Sequence, residues 1–432
     1  MARWTNWAGN QSCTPDRIEQ PRSEDQLLEI VERARARRGV VRVAGSGHSF
    51  TPLVCTDDAL VDLSHYRSLL SVDAEQRTAT VQAGMPLSRL NLELAEHGLA
   101  LENLGDIAYQ TTAGATQTAT HGTGARFGNL SSRITGLRLV TGQGEILECS
   151  AERESHVFSA ARVGVGALGL VSTITLQCVP AFNLHAVEGA DPVDEVLEDL
   201  DAEIDGHDHF EFFWIPNTRW ALTKRNRRTD EPVRPRPAWR AFRDDVLYDN
   251  VAFGLLCHIG RLRNDLIPRV ARWLPSKGDS EYVDASYKVF ASPRHVHFLE
   301  MEYAIPRAAL PEAFNRVRAL VKSLGTQISF PVEVRFVAAD DIPLSTASGR
   351  ETAYIAVHAF RGTPYSEYFR GVERIMDDYD GRPHWGKLHF QSADSLAPRY
   401  PRWHEAQSVR ARLDPSGTFT TPAIDYVLGP VG

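Results

Sequence analysis

Apolar positions in residues 24–38, EDQLLEIVERARARR, recur at helical spacing, and the basic residues at the end of the run suit the negative pole of a helix dipole. At VVRVAG the pattern becomes a short continuous apolar stretch ending on glycine, which predicts a buried strand. ALVDLS (59–64) and LLSVDAEQRTATVQAG (69–84) read as strands around a turn. PLSRLNLELAEHGLAL (86–101) returns to helical spacing, with Pro86 near its start and Gly98 near its end. ITGLRLVTGQGEILECS (134–150) has the form of a hairpin, and GLVSTITLQCV (169–179) of one more strand. Short helices and strands mixed in this way predict an α+β domain.

The pattern changes after Pro180. HDHFEFFWIPNTRWALTK (207–224) is aromatic and strand-rich, residues 225–241 are basic and proline-rich and read as an exposed loop, and residues 244–274 look helical. Three alternating strands follow: HVHFLEMEYAI (295–305), PVEVRFVA (331–338) and AYIAVHAF (353–360). A helix at 313–324 separates the first two, and another covers about 366–379. This order predicts an antiparallel sheet with helices on one side, in a second domain. The tail from about 383 to 432 reads as short elements punctuated by Gly and Pro.

A length of 432 residues allows two or three domains. The net charge of -8 offers no broad basic field, so nucleic acid is not an expected partner. Cys13, Cys55, Cys149, Cys178 and Cys257 are odd in number, widely spaced and free of any C-x-x-C pair, as expected of reduced thiols in the cytoplasm. The N-terminal stretch MARWTNWAGNQSC has no basic region followed by an apolar core, and no apolar run spans a bilayer. The basic 225–241 stretch and the 244–274 segment are read as solvated surface, so membrane association is not expected.

Two glycine-rich stretches carry candidate chemistry. In VRVAGSGHSF (41–50), Gly45, Ser46, Gly47 and Ser49 surround His48, and successive backbone N–H groups in such a turn form an anion nest. In TTAGATQTATHGTG (111–124), small residues and hydroxyls would let backbone approach a flat or extended ligand. Two such loops suggest a large diphosphate-bearing ligand. Gly164-Val-Gly-Ala-Leu-Gly169 matches G-x-G-x-x-G, but a helix-like segment precedes it and a strand follows, the reverse of the dinucleotide fingerprint. In Val332-Glu-Val-Arg-Phe336, strand alternation points Glu333 and Arg335 to one face and Val332, Val334 and Phe336 to the other. A carboxylate beside a guanidinium presents donors and acceptors to a polyol or lactone. The pairs His207/His209 and His295/His297 lack further ligands at short spacing, so no metal is expected. Glu300, Glu302 and His358 either border a pocket or belong to a salt-bridged sheet surface.

AGSGHSF, AGATQTATHGTG, RVGVGALGLVSTITL, VEVRF and HWGK (384–387), in that order, resemble the aldonolactone oxidoreductases, the sugar-lactone branch of the vanillyl-alcohol-oxidase type flavoproteins. The likeness runs from WTNW to RLDPSGTF, essentially the whole chain. It implies a PCMH-type FAD-binding domain over 1–179, completed by about 383–432, and an antiparallel-sheet cap over 180–382 that binds substrate. It implies FAD bonded covalently to His48 through its 8α-methyl group. Gly45, Ser46, Gly47, Ser49, Thr111, Thr112, Gly114, Ala115, Thr118, His121, Gly122 and Gly124 would line the isoalloxazine and pyrophosphate. Gly169, Leu170 and Val171 would approach the adenosine end. Glu333 would hydrogen-bond the reacting hydroxyl, Arg335 would position substrate oxygens, and Lys387 would stabilise charge near flavin N1. His384 is a proton acceptor or a hydrogen-bonded core histidine.

The implied reaction oxidises the secondary alcohol beside a lactone carbonyl, passes hydride to flavin N5 and gives an ascorbate-type ene-diol. Oxygen or a cytochrome would take the electrons onward. The alternatives are an alditol oxidase acting on a primary alcohol and a non-catalytic flavin- or sugar-binding protein.

Overall fold

The computed structural model describes residues 3–236, 280–291, 296–324, 328 and 330–431. The helix and loop expected over 237–279 therefore lie outside the described residues, as do His295 and Cys257. The first helix spans Glu24–Ala36, with Ser23 accepting the Gln26 N–H as its cap and Leu27, Ile30, Val31 and Ala34 buried. Strands Arg17–Glu19, Ala59–Asp62 and Val41–Ala44 form a parallel three-stranded sheet. A five-stranded antiparallel sheet runs Ile146–Ser150, Ile134–Val140, Leu170–Gln177, Thr78–Gln82, Leu69–Asp73.

These elements enclose one core. It also takes in Ile342 and Leu344 from a loop of the later sequence, Trp385, and the tail residues Val409, Leu413 and Phe419. The tail is more regular than its Gly and Pro suggest, because Trp403–Leu413 forms an eleven-residue helix with Ala406, Val409 and Leu413 buried.

An eight-stranded antiparallel sheet dominates the rest, in the order Ser280–Ala285, Asn183–Pro192, Trp220–Thr229, His209–Trp214, Val332–Val337, Thr352–Phe360, Phe298–Pro306, Arg382–Pro383. Its apolar face packs on helices Leu310–Leu324 and Ser366–Asp377, through Phe212, Met301, Tyr303, Val332, Val334 and Ile355 against Phe314, Val317, Phe369 and Val372. The expectation of a loop from residue 225 is corrected. Residues 225–229 end a ten-residue strand because Arg225 is neutralised there by Glu203 and by Asp191 at 2.9 Å. Of the thiols, Cys149 and Cys178 are buried, whereas Cys13 and Cys55 are half-exposed and free. Among the described residues no helix is long and apolar enough to cross a membrane.

Candidate active site

Strand Val41–Ala44 ends in the glycine turn, where Gly47 adopts φ +72°, a conformation that costs glycine nothing. The N-terminal segment pins this loop: Trp7 N–H donates to Gly47 O at 2.8 Å, Asn6 Nδ2 to Ser49 O at 2.9 Å and Gln11 Nε2 to Phe50 O at 3.0 Å. On the other side Phe50 N–H donates to Gly386 O at 2.8 Å, which joins the loop to the HWGK motif. Ser46 is exposed and its Oγ donates to Tyr109 O. His48 is half-buried and lies against the Trp7 ring at 5.4 Å, while His297 packs on Trp7 at 4.5 Å. Burial, with Lys387 and His297 nearby, lowers His48 to about 4, so its ring is neutral at pH 7.

The second glycine-rich run is not an open loop throughout. Thr111 accepts the Gly114 N–H and caps a five-residue helix, Thr112–Thr116. Two of the expected lining residues turn their side chains inward. Thr112 N–H and Oγ1–H both donate to Met85 O, at 2.7 and 2.9 Å, and Ala115 is core, so their side chains support the run from beneath. Ala113, Gly114 and Thr118 are its half-exposed members. The two glycine stretches touch, since a Cβ on Gly45 would stand 2.5 Å from Thr111 Oγ1. Further on, a Cβ on Gly122 would collide with Leu104 O and the Asn103 side chain. Gly169 (φ +140°), Leu170 and Val171 open a core strand, and Val171 too is buried.

Gly124 N–H donates to Phe336 O at 2.8 Å, and Phe336 N–H donates to Thr123 Oγ1 at 3.2 Å. These bonds stitch the glycine run to strand Val332–Val337. The face of the eight-stranded sheet opposite its helices carries the polar residues that alternation predicts; Glu211, Glu300, Glu302, Glu333 and Arg335 are buried there, and Lys224 and His358 half-buried. Arg335 Nε is 2.5 Å from Glu333 Oε1, but its N–H donates to Glu211 Oε2 at 2.8 Å. Arg335 Nη2 lies 3.6 Å from Asp106. Glu333 Oε1 is therefore close to a positive charge yet has no hydrogen-bond partner. Burial drives Glu333 above the ordinary carboxylate range, and Asp106, Glu211 and Glu300 add to the effect; Arg335 opposes it without cancelling it. Burial works against charge on Arg335 as well, but the surrounding carboxylates hold it firmly protonated.

The neighbouring strands complete the cluster. Lys387 pairs with Glu300, and Glu300 with Glu302 outweighs the cost of burying the ammonium. Its Nζ sits 5.5 Å from the Phe50 ring centroid, which joins it to the His48 loop. His121 stacks on Tyr354 with centroids 3.6 Å apart, its Nε2 lies 3.2 Å from Glu302 and its Nδ1 2.8 Å from Gly122 O. Burial opposes charge on Glu302, but His121, Lys387 and His384 outweigh it and hold the carboxyl well below its usual range. His384 Nδ1 accepts the Gly386 N–H at 3.1 Å, and burial lowers the ring to about 3. The Nδ1 lone pair of His384 is thus engaged within the 384–387 turn. His358 lies 3.7 Å from Glu300, on the pocket side.

The sequence reading missed Glu211, Asp106, Lys224, Tyr354 and Trp7 as members of this region. Glu211 had a signal: a lone carboxylate within HFEFFW must find a partner if that strand is buried. The pair His207/His209 does not converge, since His207 Nδ1 bonds Glu203 O whereas His209 Nδ1 bonds Thr123 O. Among the described residues no group of three or more His, Cys, Asp or Glu is arranged to hold a metal ion.

The profile of the FAD binding domain covers residues 15–150 and that of D-arabinono-1,4-lactone oxidase covers 174–427. The chain is 47 % identical over 428 residues to an L-gulono-1,4-lactone dehydrogenase of Mycobacterium tuberculosis, covering 99 % of both. It is 33 % identical over 433 residues to the L-gulonolactone oxidase of Bos taurus, covering 98 % of both. In fold it is similar to the crystal structure of cholesterol oxidase from B. sterolicum, with a TM-score of 0.83 at 17 % identity over 99 % of this chain and 96 % of that one. By these matches the chain belongs to the FAD-dependent aldonolactone oxidoreductases.

Proposed function

We propose that the protein oxidises an aldono-1,4-lactone, L-gulono-1,4-lactone or a close analogue, at the secondary alcohol next to the carbonyl. The observation that carries this reading is the buried Glu333–Arg335 pair, facing the glycine run with one unbonded carboxylate oxygen. The substrate class comes from the names of the relatives, one a lactone dehydrogenase and one a lactone oxidase.

The residues present fit FAD. Backbone at Gly45 approaches Thr111 more closely than a Cβ allows, and residues 45–49, 113, 114 and 118 beside them are exposed or half-exposed. FAD, when bound there, supplies the hydride acceptor. The loop amides at 45–49 would hold its pyrophosphate. His48 is neutral at pH 7 and so keeps the nucleophilic lone pair that a covalent 8α bond requires. Gly122 and Gly124 would help hold FAD by letting the run pack closely on Leu104, Asn103, Asp208 and Phe127 behind it.

At the substrate, the Glu333 carboxylate takes the proton of the reacting hydroxyl, since the Arg335 Nε–H beside it is committed to Glu211. Arg335, fixed by Glu211 and Asp106, aligns the lactone oxygens. Lys387 remains charged beside Glu300 and opposes the build-up of negative charge. His384 keeps the 384–387 turn in shape. In this reading the flavin domain is 1–179 with 383–432, the cap is 180–382, the electrons pass to oxygen or a cytochrome, and the enzyme works in the cytoplasm.

Anaerobic mixing with L-gulono-1,4-lactone tests the substrate. Bleaching of the flavin absorbance by the lactone but not by xylitol or sorbitol is expected. Bleaching by the alditols alone would make the protein an alditol oxidase, and no bleaching by either would make it a binding protein.

A further inference from the structure

The arrangement of Glu211 goes beyond what the reaction requires of a carboxylate–guanidinium pair. Strands His209–Trp214 and Val332–Val337 are antiparallel, with Phe213 opposite Glu333 and Phe212 opposite Val334. The next step of that register brings Glu211 level with Arg335, on the same face. Glu211 is buried, and its Oε2 accepts the Arg335 Nε–H at 2.8 Å, although Glu333 Oε1 lies closer to the same nitrogen at 2.5 Å. The donor is aimed away from its nearest carboxylate. Lys224, directly opposite Glu211 in the next strand, stands 3.4 Å from Glu211 Oε1 and keeps that carboxylate in place.

We propose that Glu211 is a positioning residue for the reaction: it holds the Arg335 Nε–H off Glu333, so that the Glu333 carboxylate stays free of that bond and receives the substrate hydroxyl proton. The proposal rests on the reading of Glu333 as proton acceptor given above. A carboxylate that accepts a strong guanidinium bond is a weak base. One that feels the positive charge without the bond, in a dry site among other carboxylates, is a stronger one. The groups facing Glu333 from every packed element are Arg335 on its own strand, Glu211 and Lys224, Glu300 and Glu302, His358, His121, Asp106, and His384 with Lys387. Most of the carboxylates already have a cation or imidazole partner. Glu211 is the one whose removal frees the Arg335 Nε–H to swing to Glu333.

The test is the proton affinity of Glu333, read without substrate. In the holoenzyme, infrared difference spectra between pH 5 and 10 should contain a protonated-carboxyl band that is absent from Glu333→Gln. Its midpoint should fall in Glu211→Gln by about one pH unit or more, as expected when a like charge leaves and an opposite-charge bond forms. Glu211→Asp keeps the charge but retracts the acceptor. It should move the band the same way by less, and it serves if the Gln variant does not fold. In anaerobic flavin reduction by L-gulono-1,4-lactone, the rising alkaline limb should shift to lower pH in Glu211→Gln, with a plateau about tenfold or more below wild type. A band that stays put in both variants, or a rate that drops equally at every pH, would overturn the proposal and leave Glu211 a structural residue. If the band moves but lactone never bleaches wild-type flavin, the positioning role stands and the lactone reading falls. If lactone is oxidised and the band does not move, the reverse holds.

Discussion

Replacing Arg42 with Met should cost about 3–5 kcal/mol of stability and loosen the loop that carries His48. Arg42 is 2 % exposed, within the strand that delivers the glycine turn. Its guanidinium donates to four carbonyls: Leu53 at 2.8 Å, Gly166 at 2.6 Å, Phe419 at 2.7 Å and Val165 at 3.2 Å. One side chain thus ties the His48 loop to the 164–169 turn and to the C-terminal tail. Hydrogen bonds from a charged donor contribute about 1.5–3 kcal/mol each, roughly 6–12 kcal/mol for four. Dehydrating the guanidinium takes back several kcal/mol, and the strain shows in its proton affinity, which burial and the neighbouring Arg410 lower to about 10. Methionine fills the space of the aliphatic stem and leaves four buried acceptors unmatched, hence the net loss. It corresponds to roughly a hundred- to several-thousand-fold change in the folded-to-unfolded ratio. Urea unfolding at pH 7, followed by circular dichroism and tryptophan fluorescence, measures it. A loss below about 1 kcal/mol would refute the reasoning and mean that water or other donors replace the guanidinium.

Other outcomes follow from the same geometry. Glu333→Gln should lower the rate of flavin reduction by lactone about 10²–10⁴-fold while leaving FAD bound, as stopped-flow absorbance would record. His384→Asn preserves an acceptor for the Gly386 N–H, so the pH–rate profile between 5 and 8 should keep its shape; loss of a limb would restore His384 as a base. Gly122→Ala drives a Cβ into Leu104 O and Asn103, so the purified protein should carry less FAD per chain by absorbance ratio. The carboxyl of Glu302 is depressed in the folded state, so the stability it contributes is present above its unfolded value near 4.3 and is lost as pH falls further. Glu302→Gln should therefore flatten the acid limb of a thermal-melt series between about pH 5 and 2, and an unchanged limb would count against the His121–Glu302 pair.

Much of the fold was legible because its signals are local. The helix at Glu24–Ala36 and the strands Val41–Ala44 and Val332–Val337 each follow from periodicity within their own residues. Alternation alone put Glu333 and Arg335 on one face. Which face that was could not be read, because the bonds that settle it, Gly124 to Phe336 and Thr123 to Phe336, join residues more than two hundred positions apart. The residues around Arg225 misled for the same reason: a basic run looks solvated until Glu203 and Asp191 arrive from another element. Glu211 was hidden by the aromatic residues on either side of it, which advertise a core strand and mask the one carboxylate that faces the site. The burial of the Thr112 and Ala115 side chains was not legible either: a glycine-rich run suggests an open loop, and Thr111 as a cap turns it into a helix with a buried side.

In the proposed site the 45–50 loop and the 111–124 run hold FAD with His48 bonded to it. Acid denaturation of the purified holoenzyme, followed by separation of polypeptide from solvent, tests this. Yellow colour and flavin fluorescence should stay with the chain, and in His48→Ala they should be released. Release from the wild type would contradict the covalent bond, and a folded protein that takes up no flavin even when incubated with FAD would contradict the site itself.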